Sequence, residues 1–205
     1  NLYREGQVYV KENQAVYDHD FPSFAVGIAI PHGIYDEKRN TAYLSIGTSK
    51  DTSEFVGDNL AHWWDTDLKQ QYPTAEKIII RCDGGGSNSS RYHIVKQDFQ
   101  QLSTRLGLPI QIQHYPPYCS KYNRIEHRVF PHITRQWKGV IFTNYDLVKK
   151  LAEQTTTRTG LTVKAVINTT TYHTGRKADP DFLDNMNIEY DTVLGKWNYT
   201  FYPQL

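Results

Sequence analysis

Lys77-Ile78-Ile79-Ile80-Arg81-Cys82-Asp83-Gly84-Gly85-Gly86-Ser87-Asn88 joins a short, mostly β-branched run to one acidic residue and three glycines. A continuous apolar run of this length, bounded by turn residues, predicts a strand of the buried type. Asp83 then stands at the C-terminal end of that strand, the edge of an open α/β sheet where ligands bind. The glycines let the backbone turn sharply and let a bulky partner approach. The same Asp before Gly also serves as a plain turn residue. A phosphate-binding loop is disfavoured, because the Gly-Lys-Ser/Thr of that motif is missing.

The flanking sequence extends this strand into a domain. Upstream, Ala25 to Ile30 and Thr41 to Gly47 are apolar runs around a polar turn at 36–40, which predicts an antiparallel hairpin. Thr52 or Ser53 caps a helix toward Gln71, with Phe55, Val56, Leu60, Trp63, Trp64 and Leu68 on one side. Downstream, a helix over 92–106 is closed by Gly107, and Ser87 or Asn88 is expected to cap it. An alternating strand at 109–115 follows, broken by Pro116-Pro117. A third helix begins near Ser120 and carries Glu126, with Pro131 expected to kink it beyond that residue. The tail predicts a helix at 145–154, a strand at 161–171, a short helix at 181–186 and an aromatic strand at 196–201. Residues 8–24 show no clean period and read as an irregular or extended leading segment. Hairpin, helix, strand, helix, strand, helix argues an α/β fold with a mixed sheet and helices on its faces.

The 205 residues suit one ordinary domain. At 39% hydrophobic and 22% charged the chain is globular rather than disordered. No stretch approaches the roughly 18 apolar residues that span a bilayer, so no membrane partner is expected. The net charge of +1 argues neither for nor against nucleic acid, and Lys and Arg are scattered. Cys82 and Cys119 are too few for a disulfide scaffold and read as buried free thiols in a reducing, cytoplasmic compartment. The eight histidines show no zinc-ligand spacing.

Two carboxylates at one sheet edge can share Mg²⁺ or Mn²⁺, hard cations that take oxygen ligands. Asp83 and Glu126, 43 positions apart, are the candidates for both catalysis and metal binding. A Glu at a helix start is also a common solvated residue beside the positive end of the helix dipole.

Two stretches carry a family resemblance. Ile80 to Asn88 is similar to the second-aspartate motif of the Rhodopirellula-type DDE transposases. His114-Tyr115-Pro116-Pro117-Tyr118-Cys119-Ser120-Lys121-Tyr122-Asn123-Arg124-Ile125-Glu126-His127-Arg128 resembles their acidic third motif. His19 to Pro22, Trp63-Trp64, Thr155 to Leu161 and Trp197 to Thr200 resemble further family stretches. The resemblance implies an RNase H-like catalytic domain over 1–205, with 145–205 as a C-terminal helix and strand extension. It implies Mg²⁺- or Mn²⁺-dependent cleavage and strand transfer of DNA in a bacterial cell, by a homodimer on transposon ends and target. Asp83 would be the second catalytic carboxylate and Glu126 the third. Lys121, Asn123, Arg124, His127 and Arg128 are candidate DNA contacts, with solvated or packed roles left open for each, and Ser87 and Asn88 either cap the next helix or contact DNA.

The family's first catalytic Asp sits in a Val-Asp-Thr-Lys-Lys-like motif, and no such motif occurs here. The first strand is therefore expected to be missing or incomplete, with Asp18, Asp20 and Asp36 as poor substitutes. A chain inactive by itself, a non-catalytic DNA-binding remnant, a nuclease that cuts without joining, and an unrelated hydrolase using Asp83 all stay open as alternatives.

Overall fold

The computed structural model describes residues 11–12, 25–89 and 91–204. The leading segment at 8–24, with Asp18, Asp20 and His19 to Pro22, lies almost wholly outside these residues. In chain order the elements are β1 (Ile30–Asp36), β2 (Thr41–Gly47), α1 (Ser53–Trp63), α2 (Lys69–Gln71), β3 (Ile78–Cys82), α3 (His93–Leu106), β4 (Ile110–His114), α4 (Arg124–Arg128), α5 (Phe130–Trp137), α6 (Tyr145–Glu153), β5 (Thr162–Asn168), α7 (Pro180–Asp184), β6 (Ile188–Tyr190) and β7 (Asn198–Phe201). The fold is mixed α/β and is consistent with the RNase H-like class. Its strands are divided between two sheets, each with parallel and antiparallel pairs. By its contacts the chain forms two compact units. One joins the segment ending at Ser49 to Arg124–Thr171, and the other joins Lys50–Asn123 to Tyr172–Leu205.

In the first unit the sheet order is β1-β2-β5. β1 and β2 form the expected hairpin, antiparallel from Ile30↔Gly47 to Asp36↔Thr41. Asp36 makes the turn, its Oδ1 accepting from the backbone N–H groups of Lys38 and Arg39. Asn40 takes the left-handed conformation there, at φ 52°. The first strand begins at Ile30, where the sequence expectation ended it. Among the described residues β1 is an edge strand, where the N–H that Pro31 lacks disrupts no central ladder. β2 is buried along its whole length between β1 and β5. Its Ala42, Leu44 and Ile46 share a core with Val129, Ile133, Trp137, Val148 and Ala152. The Trp137 indole N–H donates to the Val148 carbonyl at 3.1 Å, which ties α5 to α6.

In the second unit the order is β3-β4-β7-β6, with β3 and β4 parallel and the other pairs antiparallel. α1 opens on a Thr52 cap, whose hydroxyl accepts from the Phe55 N–H at 3.2 Å. It continues through a π-helical turn, Trp64–Leu68, into α2. The wider turn admits an extra residue and shifts the buried face. Trp63, Trp64 and Asp67 are consequently all buried. Val95, Phe99 and Leu102 of α3 pack with Ile110, Ile112, Tyr199 and Phe201 of the sheet. Gly107 closes α3 at φ 66°, as expected.

Three expectations need correction. Among the described residues the run at 77–82 borders its sheet, its residues alternate between exposed and half-buried, and Ile79 is 50% exposed. Among the described residues β3 has a sheet neighbour on one side only, so there its apolar content does not signal full burial. Neither Ser87 nor Asn88 caps α3: both lie in a short 3-10 turn, Gly86–Asn88, and Tyr92 precedes the helix without a side-chain cap bond. The third helix begins at Arg124 and is interrupted at Val129. Pro131 falls in the first turn of α5, where a proline has no N–H to lose, so it opens a new helix rather than kinking an old one.

Candidate metal and DNA-binding site

Asp83 leaves the C-terminal end of β3 with an exposed side chain. Its Oδ1 lies 3.4 Å from the Gly85 N–H, a loose turn that holds the carboxylate over the glycine loop. Gly86 occupies the left-handed region at φ 52°, a position that strains any residue with a Cβ.

The neighbouring strand end fixes the main chain at this point. His114 is the last residue of β4, pairs in register with Cys82 and is 7% exposed. Its Nδ1 lies 2.9 Å from the Asp83 carbonyl oxygen, and its Nε2 lies 2.7 Å from the Tyr199 hydroxyl. A carbonyl only accepts, so Nδ1 carries the proton. In the neutral ring Nε2 then accepts from Tyr199. The Tyr115 N–H donates to the Cys82 carbonyl at 2.9 Å, continuing the ladder beyond the strands. Burial, with the nearby Asp83 charge second, pushes the Cys82 thiol up to about 12. Cys82 and Cys119 are both free and half-buried.

Beyond β4, the Cys119 N–H donates to the Pro116 carbonyl and the Tyr122 N–H to the Cys119 carbonyl. Between them Tyr118 is fully exposed at φ 64°. Lys121, exposed, stands 5.0 Å from the Tyr122 ring centroid. Asn123 is buried, at 9% exposed.

Glu126 belongs to the first unit, half-buried on α4. α4 packs on β1, where Gly33 leaves room for Ile125 and Phe130. A Cβ on Gly33 would sit 3.0 Å from Ile125 Cδ1 and 2.9 Å from Phe130 Cζ. Arg124 reaches Glu37 at 2.6 Å, a partly exposed ion pair, while His127 and Arg128 are exposed.

Among the described residues no group of three or more His, Cys, Asp or Glu side chains gathers into a metal cage. A cage is not required for Mg²⁺, which keeps several waters and commonly takes only one or two carboxylates beside substrate phosphates. The exposed carboxylate of Asp83 fits such an open site in chemistry and access. Sequence reasoning gave no role to His114 or Tyr199. The signal for His114 was available: it continues the alternation of Ile110 and Ile112, which places a histidine on the buried face.

This is an α/β fold with an acidic residue just after β3 and basic side chains on the turn after β4 and on α4. The family described as Rhodopirellula transposase DDE domain matches residues 1–203, and the chain belongs to that family. No curated protein and no solved structure matches. Family membership supports a function in transposition, implies DNA binding and goes with divalent-metal chemistry. Among the described residues, no helix is long and apolar enough to cross a membrane.

Proposed function

We propose that this chain is a metal-dependent DNA cleavage and strand-transfer core, with Asp83 and Glu126 as metal-holding carboxylates. Membership of the DDE transposase family over 1–203 carries the reading, and the exposed Asp83 beyond β3 agrees with it. A bound Mg²⁺ or Mn²⁺ would activate the attacking water or 3′-hydroxyl and stabilise the leaving oxygen at the phosphodiester. Asp83 and Glu126 supply hard anionic donors. The glycines after Asp83 keep side chains out of the way of a phosphate backbone, and no covalent enzyme intermediate is needed. Lys121, Arg124, His127 and Arg128 are exposed and would meet DNA phosphates, Arg124 by exchanging Glu37 for a phosphate. Pairing of two transposon ends calls for a homodimer on DNA.

The test is Mn²⁺-dependent cleavage and joining of transposon-end DNA by wild type, Asp83→Asn and Glu126→Gln. Both variants are expected to lose at least about a hundredfold in rate, as for removal of a principal electrostatic group. Undiminished cleavage by either variant, or cleavage that survives chelation, would refute the assignment. Cleavage without joining would make the chain a nuclease. Salt-sensitive DNA binding with no cleavage would make it a DNA-binding remnant.

A further inference from the structure

We propose that His114, held by Tyr199, is a positioning residue for Asp83: it locks the strand-end backbone from which the metal-holding carboxylate projects. The inference rests on the reading of Asp83 as a metal ligand. Asp83 is followed by three glycines, so the residues next to it offer no side chain to hold its backbone. What holds it is the Nδ1–H of His114 on its own carbonyl at 2.9 Å. That ring is oriented in turn by the Tyr199 hydroxyl at 2.7 Å. Tyr199 is itself immobilised, 2% exposed, with its ring edge-on to Phe201 at 5.5 Å. The Tyr199–His114–Asp83 chain therefore transmits the rigidity of β7 and β4 to an exposed glycine-rich loop. Outer partners of this kind orient a ligand without touching the metal, and their loss typically costs roughly 10–100-fold in metal affinity.

The two amide replacements of histidine separate positioning from packing. The Asn amide places an N–H close to where Nδ1 stood, whereas the Gln amide reaches toward Nε2 and leaves the Asp83 carbonyl unserved. Mn²⁺ alone is the probe, titrated into wild type, Asp83→Asn, His114→Asn, His114→Gln and Tyr199→Phe and followed by the electron paramagnetic resonance of free Mn²⁺. Asp83→Asn should abolish binding. His114→Gln should weaken it roughly 10–100-fold, Tyr199→Phe by a smaller factor, and His114→Asn should stay within about threefold of wild type. General loss of packing moves the Asn and Gln variants alike and cannot produce that split. If His114→Gln binds Mn²⁺ as wild type does, or if the Asn and Gln variants weaken equally while Asp83→Asn abolishes binding, the positioning role is wrong. If wild type binds no Mn²⁺, or Asp83→Asn binds it undiminished, the metal reading itself fails and the positioning role falls with it.

Discussion

Replacing Arg176 by Met should destabilise the second unit out of proportion to the exposure of the residue. Asp98 on α3 is only 7% exposed, and its carboxylate is fully engaged. Oδ2 accepts from the Ser53 hydroxyl at 2.5 Å and from Arg176 Nη1 at 3.0 Å, and Oδ1 accepts from Arg176 Nη2 at 3.0 Å. This fork-on-fork geometry joins three stretches: the first residue of α1, the middle of α3, and the segment after Tyr172. Arg176 also meets Glu54 at 3.2 Å, in a more exposed pair of small worth. Burial alone would lower the Arg176 pKa, but the hydrogen bond and charge of Asp98, then the charges of Glu54 and Asp58, raise it. Arg176→Met keeps the apolar stem and removes the partner, leaving a buried carboxylate with one hydroxyl. Breaking a buried pair in this way costs about 3–5 kcal/mol. The Arg176 side chain is 31% exposed, and water reaching the gap reduces that to about 2–4 kcal/mol. Urea denaturation measures it as a lowered midpoint at unchanged slope. The double variant Arg176→Met/Asp98→Leu removes both charges and should recover at least about half of the loss, because the uncompensated anion is the main cost. A single-variant loss below about 1 kcal/mol, or a double variant less stable than Arg176→Met, would refute this account.

Two further predictions concern the first unit. His32 on β1 has an enclosed Nδ1, and burial lowers its pKa from 6.5 to about 4. The unfolded chain therefore binds more protons than the folded one between those values, so the contribution is fully present above pH 6.5 and is lost as pH falls toward 4. The ceiling is roughly 3 kcal/mol, and His32→Gln should flatten the acid limb of stability measured by urea titration at pH 7 and 4.5. An unchanged pH dependence in the variant would rule His32 out as its source. Gly33→Ala should cost about 1–3 kcal/mol through overpacking, because the new methyl meets the Phe130 ring at 2.9 Å. A melting temperature at or above wild type would mean that α4 and α5 yield, since Ala is otherwise favoured over Gly in a strand by about 0.5–1 kcal/mol.

Most elements were legible where a local rule acts alone. Thr52 caps α1 and Gly107 ends α3 because a hydroxyl acceptor and a left-handed backbone are properties of single residues. The rules failed where a neighbour decides. The first apolar run reads as ending at Ile30, yet β1 runs from Ile30 to Asp36 through Pro31. Pro131 reads as a kink, yet it opens α5 because the helix has already stopped at Val129. Ile78 to Ile80 read as buried, yet along β3 exposed and half-buried residues alternate. The π-helical turn at Trp64–Leu68, which lets adjacent tryptophans both be buried, has no local signature.

The candidate site divides in the same way. Asp83 and Glu126 stand out because each sits in a contiguous motif, and a motif can be read along the chain. His114 and Tyr199 cannot be found so, since their hydrogen bond spans 85 positions. It exists because β7 pairs antiparallel with β4 in the register Ile112↔Tyr199 and Gln113↔Asn198. A one-residue slip in that register would turn Tyr199 to the opposite face and leave the His114 ring without its donor. The register is in turn pinned by the apolar face, where Ile110, Ile112, Tyr199 and Phe201 are all at most 2% exposed. The packing that stabilises this sheet therefore also sets the aim of the ring behind Asp83. Substitutions that let β7 slip should accordingly impair Mn²⁺ binding even though no residue of β7 is a metal ligand.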